Sequence, residues 1–155
     1  MKRVLLAVAV LTLGGAVAAS DLQGQVRFGA QVLWGDDSDI GIGARLEHPA
    51  RFLSKTAPLF GAGHFDWYFP GNSVTYFELN YNIYYRFEAE ALSPYAGGGL
   101  RMGYISNGNS DTDFGLNLGG GLKFKTSGTV KPFVEARFTL GGDVEQLVLA
   151  GGIMF

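Results

Sequence analysis

The feature that most constrains the fold of this chain is a two-residue alternation of apolar and polar side chains. Between residues 77 and 87, for example, Phe77, Leu79 and Tyr81 alternate with Glu78 and Asn80. This period is typical of β-strands, whose successive side chains point to opposite faces of a sheet. Alternating segments occur at residues 26–32, 40–47, 64–69, 77–87, 96–104, 116–124, 134–140 and 146–155. The sequence therefore predicts an all-β chain of eight strands.

Turn-forming stretches separate these segments. Their Gly, Pro, Asn, Asp and Ser residues favour turns. The stretches are residues 35–39, 48–58, 70–73, 88–94, 106–113, 125–132 and 141–143. Seven short connections between eight strands predict an antiparallel up-and-down meander in one domain. We interpret the acidic stretches 36–39 and 111–113 as solvated loop tips.

The first nineteen residues have the three-part pattern of a secretory signal peptide. Lys2 and Arg3 form a basic start, residues 4–13 are apolar, and residues 14–19 are mostly small. The apolar part is shorter than the ~20 residues that span a bilayer as a helix. We predict a signal peptide at 1–19, cleaved after Ala18 or Ala19, and a β-barrel domain at 20–155.

The alternation alone fits either a water-soluble barrel or a membrane barrel, because it does not say which face points inward. Large aromatic side chains near the segment ends favour an apolar face turned outward, since aromatic girdles mark the two membrane interfaces. The predicted girdle residues are Trp34, Trp67, Phe69, Phe87, Tyr104 and Phe155. Together with the signal peptide, this pattern predicts an eight-stranded antiparallel transmembrane β-barrel in the outer membrane. We expect the connections 35–39, 70–73, 106–113 and 141–145 outside the cell and the other connections, with both termini, in the periplasm.

The polar face then forms the lumen of the barrel. Six cationic and four anionic side chains lie on it and are expected to pair, because an eight-stranded interior is only wide enough for side chains to fill it. The predicted luminal polar network comprises Arg27, Arg45, Glu47, His64, Asp66, Glu78, Arg86, Arg101, Lys123, Glu135 and Arg137.

Composition and charge argue against several other classes of function. The formal net charge of −2, which falls to −4 without Lys2 and Arg3, gives no basic face for nucleic acid. The chain has no Cys and only two His, His48 and His64, so thiolate and multi-histidine metal sites are not expected. We predict no cofactor.

Four stretches resemble the OmpA/OmpX-type small outer-membrane β-barrels. They are residues 94–100 (PYAGGGL), 114–122 (FGLNLGGGL), 132–137 (PFVEAR) and 151–155 (GGIMF). The resemblance implies a barrel embedded in outer-membrane lipid, and a monomer is expected. A last strand that ends in Phe155 is similar to the signal by which that family is recognised by the barrel-assembly machinery.

The expected function is a structural or interaction role in the cell envelope, without enzymatic activity. One alternative is a narrow porin, because inward glycines could leave luminal volume unfilled; these are Gly97, Gly99, Gly103, Gly115, Gly119 and Gly121. A second is a lipid-modifying enzyme using His64, Asp66 and Glu78, and a third is a soluble periplasmic ligand-binding barrel.

Overall fold

The structure is a computed structural model, of which we describe residues 26–71, 74–142 and 145–155. The predicted signal peptide at 1–19 lies outside the described residues and stays a prediction. No helix in these described ranges is long and apolar enough to cross a membrane.

Eight antiparallel strands form one closed barrel in chain order. They are β1 Arg27–Gly35, β2 Asp39–Pro49, β3 Leu59–Tyr68, β4 Thr75–Arg86, β5 Leu92–Asn107, β6 Asn109–Phe124, β7 Lys131–Leu140 and β8 Gln146–Met154. The barrel closes where β1 pairs with β8, from Gly29 opposite Met154 to Gly35 opposite Val148. Closure leaves no exposed sheet edge along the paired lengths, which a strand in lipid requires. The predicted fold class is confirmed.

The barrel has two different ends. We call the end with Val26 and Phe155 the terminal end; it also carries the connections 50–58, 87–91 and 125–130. The opposite end carries the connections 36–38, 69–74, 108 and 141–145. The longest connection that joins two strands, 50–58, therefore lies at the terminal end.

The prediction of a loop at residues 106–113 is wrong, because these residues belong to β5 and β6 apart from a one-residue turn. Strands β5 and β6 pair without interruption from Leu92 opposite Phe124 to Asn107 opposite Asn109, and only Gly108 remains between them. Gly108 has a φ of 79°, a conformation that glycine adopts without steric cost and that permits so tight a turn. The polar residues of this stretch favour turns locally, but continuous pairing between the two strands keeps them extended.

The polarity of the barrel is inverted relative to a water-soluble protein. Large apolar side chains face outward and are exposed, including Phe28 at 61% and Leu118 at 59%. Charged side chains fill the interior, where Arg137 is 1% and Glu78 is 0% exposed. Lipid can cover the apolar outer face, whereas contact of this face with water would be unfavourable.

Candidate functional site: the filled lumen

One continuous chain of ion pairs runs along the lumen. In order from the terminal end, its cations are Lys123, Arg45, Arg137 and Arg101, and its anions are Glu47, Glu135, Asp66, Glu78 and Asp113. Arg137 joins the two halves, because its Nη1 atom lies 3.5 Å from Glu135 Oε1. Cations and anions largely alternate, so each buried charge has an opposite charge next to it. Such compensation is what allows ionised side chains to remain in an interior that lipid surrounds.

The half of this chain nearer the terminal end is centred on Arg45 and Glu135. Arg45 Nε donates to Glu47 Oε1 at 2.8 Å, and Arg45 Nη1 donates to Glu135 Oε2 at 2.7 Å. Lys123 Nζ donates to the other oxygen of Glu47. Glu135 also accepts a hydrogen bond from the Tyr95 hydroxyl at 2.9 Å. The two carboxylates thus share three cationic or hydroxyl donors across four strands.

The half nearer the opposite end is centred on Asp66 and Glu78. Arg137 Nη2 donates to Asp66 Oδ2 at 2.7 Å and lies 3.8 Å from Glu78 Oε2. Arg101 Nε donates to Glu78 Oε1 at 2.7 Å, and its two terminal nitrogens reach both oxygens of Asp113 at 3.0 and 3.3 Å. The fork geometry of Arg101 therefore bridges two carboxylates on different strands.

Neutral polar side chains extend the network. Gln31 Nε2 donates to Asp66 Oδ1 at 2.6 Å, and Asn117 Nδ2 donates to Asn80 Oδ1 at 2.8 Å. Tyr76 donates its hydroxyl proton to Glu78 Oε1 at 2.6 Å. These amide and hydroxyl groups occupy the space between the ion pairs, and each is buried.

Two clusters with apolar side-chain bodies flank the charges. The cluster towards the opposite end contains Leu33, Tyr68, Tyr76, Val148 and Ala150. The cluster towards the terminal end contains Phe60, Ala62, Tyr84 and Tyr95. The guanidinium of Arg45 also lies 4.7 Å from the centre of the Phe133 ring, within the range of a cation–π contact. Side chains consequently occupy the lumen along the length of the ion-pair chain.

The inward glycines on which the narrow-porin interpretation rests have no room for a Cβ atom. A Cβ atom at Gly97 or Gly99 would lie 2.0 Å from a carbonyl oxygen of β4. At Gly119 and Gly121 it would lie 2.5 and 2.2 Å from carbonyl oxygens of β7. Gly103 and Gly115 are similarly closed, with the nearest atoms at 2.4 and 2.6 Å. These glycines allow neighbouring strands to approach closely.

The structure brings together most of the side chains that the sequence assigned to the lumen. Buried in the lumen are Arg45, Glu47, His64, Asp66, Glu78, Arg101, Lys123, Glu135 and Arg137. Arg27 is exposed at the terminal end, and Arg86 is half-buried there. Neither forms an ion pair among the described residues. Both therefore lie at the mouth of the lumen and outside the ion-pair chain.

Sequence reasoning missed Asp113, which it placed in a solvated loop. Asp113 lies on β6, opposite Gly103 of β5, and its carboxylate reaches Arg101. The signal was present in the sequence: the inward positions Asn117 and Gly115, continued backward by two residues, lead to Asp113. A turn-favouring composition outweighed that alternation.

His64, Asp66 and Glu78 do meet in the lumen. His64 Nδ1 lies 2.9 Å from Arg137 Nη1, and Asp66 and Glu78 accept from Arg137 and Arg101. All three are at most 4% exposed, so an acid–base role would require a substrate to enter the filled interior. The described residues contain no group of three His, Cys, Asp or Glu arranged to hold a metal ion.

The six predicted girdle aromatics are distributed between the two ends. Trp34, Trp67, Phe69 and Tyr104 lie towards the opposite end, and Phe87 and Phe155 lie at the terminal end. All but Tyr104 are at least 45% exposed on the outer side. The backbone N–H of Phe155 donates to the carbonyl of Phe28 at 2.7 Å, which fixes the end of the last strand against the first.

No family model matches the sequence, and no curated protein matches it. Solved structures do match its fold. The N-terminal β-barrel domain of Pseudomonas aeruginosa OprF superposes with a TM-score of 0.69 at 18% identity, covering 84% of this chain and 95% of that domain. Neisserial surface protein A (NspA) gives 0.57 at 16% identity, covering 83% and 94%. The outer membrane enzyme PagL gives 0.52 at 15% identity, covering 83% and 96%.

These similarities confirm, at the level of the fold, the resemblance to small outer-membrane barrels. They agree with the independent observation that the outer face is apolar while the interior is charged. The protein therefore has the fold of the eight-stranded outer-membrane β-barrels, with an apolar outer surface that lipid can cover.

Proposed function

We propose that this protein is a structural component of the outer membrane whose lumen is closed to solutes. The observation that supports this role is the continuous ion-pair chain from Lys123 to Asp113, flanked by two apolar clusters. A buried, mutually compensated network fills the interior of eight strands and leaves no wide aqueous path. Both termini face the periplasm, so that the terminal end is the periplasmic end.

The first experiment is fractionation of cell membranes combined with gel mobility of unboiled and boiled detergent extracts. We expect the protein in the outer-membrane fraction, with a mobility that shifts on boiling because a closed barrel resists the detergent. Recovery from the periplasm without detergent, with no mobility shift, would contradict the proposal.

The second experiment measures conductance in planar bilayers. The wild-type protein should give no more current than protein-free bilayers. The variant Arg137→Ala, which removes the central cation of the lumen, should give measurable current. The control Phe138→Ala removes an adjacent, outward-facing side chain and should stay silent. Steady channels in the wild-type protein would overturn the closed-lumen proposal.

A narrow path for ions or small solutes is the second candidate. It is favoured by buried polar atoms without a hydrogen-bond partner among the described residues, including Arg45 Nη2, His64 Nε2 and Arg137 Nε. Donors with spare capacity could accommodate water or rearranged pairs. The same bilayer recording decides between the two candidates.

The proposed role is not enzymatic, and a lipid-hydrolysis assay on outer-membrane lipids tests this point because PagL, an enzyme, shares the fold. We further propose that the last strand, with Phe155 on its outer side, is recognised by the barrel-assembly machinery. The surrounding partner is outer-membrane lipid, and the barrel acts as a monomer.

A further inference from the structure

A cavity of about 440 Å³ lies at the terminal end, between the barrel mouth and the 50–58 connection. Its charged lining is Arg27, Arg51, Lys55 and Arg86, with Glu47 as the one carboxylate. Glu47 is already neutralised from the other side, because it accepts from both Arg45 and Lys123. The cavity therefore presents a surplus of positive charge.

Three of these cations lack an acidic partner. Among the described residues, no carboxylate forms an ion pair with Arg27, Lys55 or Arg86. Cations that line one cavity repel one another, and no ion pair among the described residues offsets that repulsion for these three. An anion from outside the chain would remove this cost.

Arg86 is held in a fixed position by its surroundings. Its guanidinium lies 4.9 Å from the centre of the Phe60 ring, which also contacts Lys123 on its face. The Nε atom of Arg86 is buried and has no hydrogen-bond acceptor within the described part of the chain. A buried donor without an acceptor is costly and is expected to find one. The planar guanidinium can hold two oxygens of a phosphate group side by side.

The charge of the whole molecule supports the same site. The exposed ionisable residues described at the opposite end are all acidic: Asp36, Asp37, Asp39, Asp111 and Glu145. The terminal end adds Lys125 and Lys131 to the cations of the cavity, and together these cations outnumber its exposed acidic residues, Glu88 and Glu90. This asymmetry steers anions towards the terminal end and away from the other one.

We infer that this cavity, bounded by Arg27, Lys55 and Arg86, is a binding site for a phosphate-bearing anion. Glu47 and Phe60 line the cavity and also belong to the filled lumen, where Glu47 accepts from Lys123, so the anion is held at the mouth and does not pass through. A phosphate group could come from the aqueous phase or from a phospholipid headgroup.

The test uses the full barrel refolded in maltoside micelles and titrated with inorganic phosphate by calorimetry, at constant ionic strength set with chloride. A parallel arm measures the midpoint of thermal unfolding in phosphatidylcholine vesicles with and without phosphatidylglycerol. We expect saturable binding of one phosphate, or a higher midpoint with phosphatidylglycerol. The first result identifies a soluble anion and the second a headgroup.

Three variants make the test specific. Arg86→Gln should weaken binding by about tenfold to a hundredfold, the range for loss of a charged hydrogen-bond donor. Arg27→Gln, at an exposed position, should also weaken it and covers the case in which Arg86→Gln does not fold. Lys131→Gln removes the same charge at the same end but outside the cavity and should have no effect. Absence of binding in both arms, or an equal loss in Lys131→Gln, overturns the inference.

Discussion

Replacement of Arg137 by methionine tests whether the lumen is as dry as its geometry indicates. Arg137 is 1% exposed and is the one cation within 4.0 Å of Asp66 among the described residues. Glu135, by contrast, retains Arg45 at 2.7 Å. Arg137→Met therefore leaves Asp66 as a buried and uncompensated charge. Loss of one partner from a buried pair lowers the free energy of unfolding by about 3–5 kcal/mol.

The assay is equilibrium urea unfolding in phospholipid vesicles, followed by the fluorescence of Trp34 and Trp67, the two tryptophans of the chain. A second variant, Arg137→Met with Asp66→Asn, removes the stranded charge and should recover at least about 1–2 kcal/mol of the loss. The control Lys131→Met, at the start of the same strand, should change stability by no more than about 0.5 kcal/mol. A loss below about 1 kcal/mol for Arg137→Met would show that water reaches the network. The description of the lumen as filled would then be wrong.

Three further predictions concern strand packing, the outer face and assembly. Gly97→Ala should destabilise the barrel by about 1–3 kcal/mol because its Cβ meets backbone at 2.0 Å, whereas Gly63→Ala, with nothing within 4 Å, should be neutral in the same unfolding assay. Leu118→Arg should lower the free energy of unfolding by about 2–4 kcal/mol if the middle of β6 faces the bilayer centre. An equal loss for Leu53→Arg, in the 50–58 connection, would contradict this placement. Phe155→Ala should lower the heat-modifiable fraction in cells but leave refolding in detergent unchanged; an equal loss in both settings would argue against an assembly signal.

The faces of the strands could be predicted from the sequence where apolar and polar side chains alternate regularly. In β7, for example, Glu135, Arg137 and Thr139 all point inward, and Val134 and Phe138 point outward. Each ladder of paired residues is continuous, so one correctly assigned residue fixes the orientation of the whole strand. The sequence therefore predicts which side chains face the lumen and which face outward, even where the pairing of the strands is not known.

The partners within the lumen could not be predicted in the same way. Arg45 meets Glu135, which is 90 positions away in the sequence. This contact depends on the tilt and stagger of strands on opposite walls, and alternation does not encode either quantity. Residue type limited the choice to cations and carboxylates, and the closed geometry selected the pairs.

His48 shows how a local signal can mislead. The turn-forming stretch at 48–58 placed it in a connection, but it lies in β2 on the outer side and is 3% exposed. Its ring stacks on Tyr81 of β4, and its Nε2 atom lies 2.9 Å from the tyrosine hydroxyl. Gly61 lies on β3, between the strands that carry the two rings, and a Cβ atom there would lie 2.5 Å from His48 Nε2. The missing side chain on the middle strand therefore creates the place that His48 fills.

The charges in the lumen and the apolar outer face depend on each other. Inside eight strands there is room for side chains but not for a wide column of water, so a charged residue there must find its counter-charge within the protein. That requirement is met from Lys123 at one end to Asp113 at the other. A barrel that placed Phe28, Leu118 and similar side chains inside would need the charged residues to cover its surface, and their compensation across the lumen would be lost. The pairing of Arg45 with Glu135 across the interior thus argues for lipid on the outside as strongly as the exposed apolar residues do.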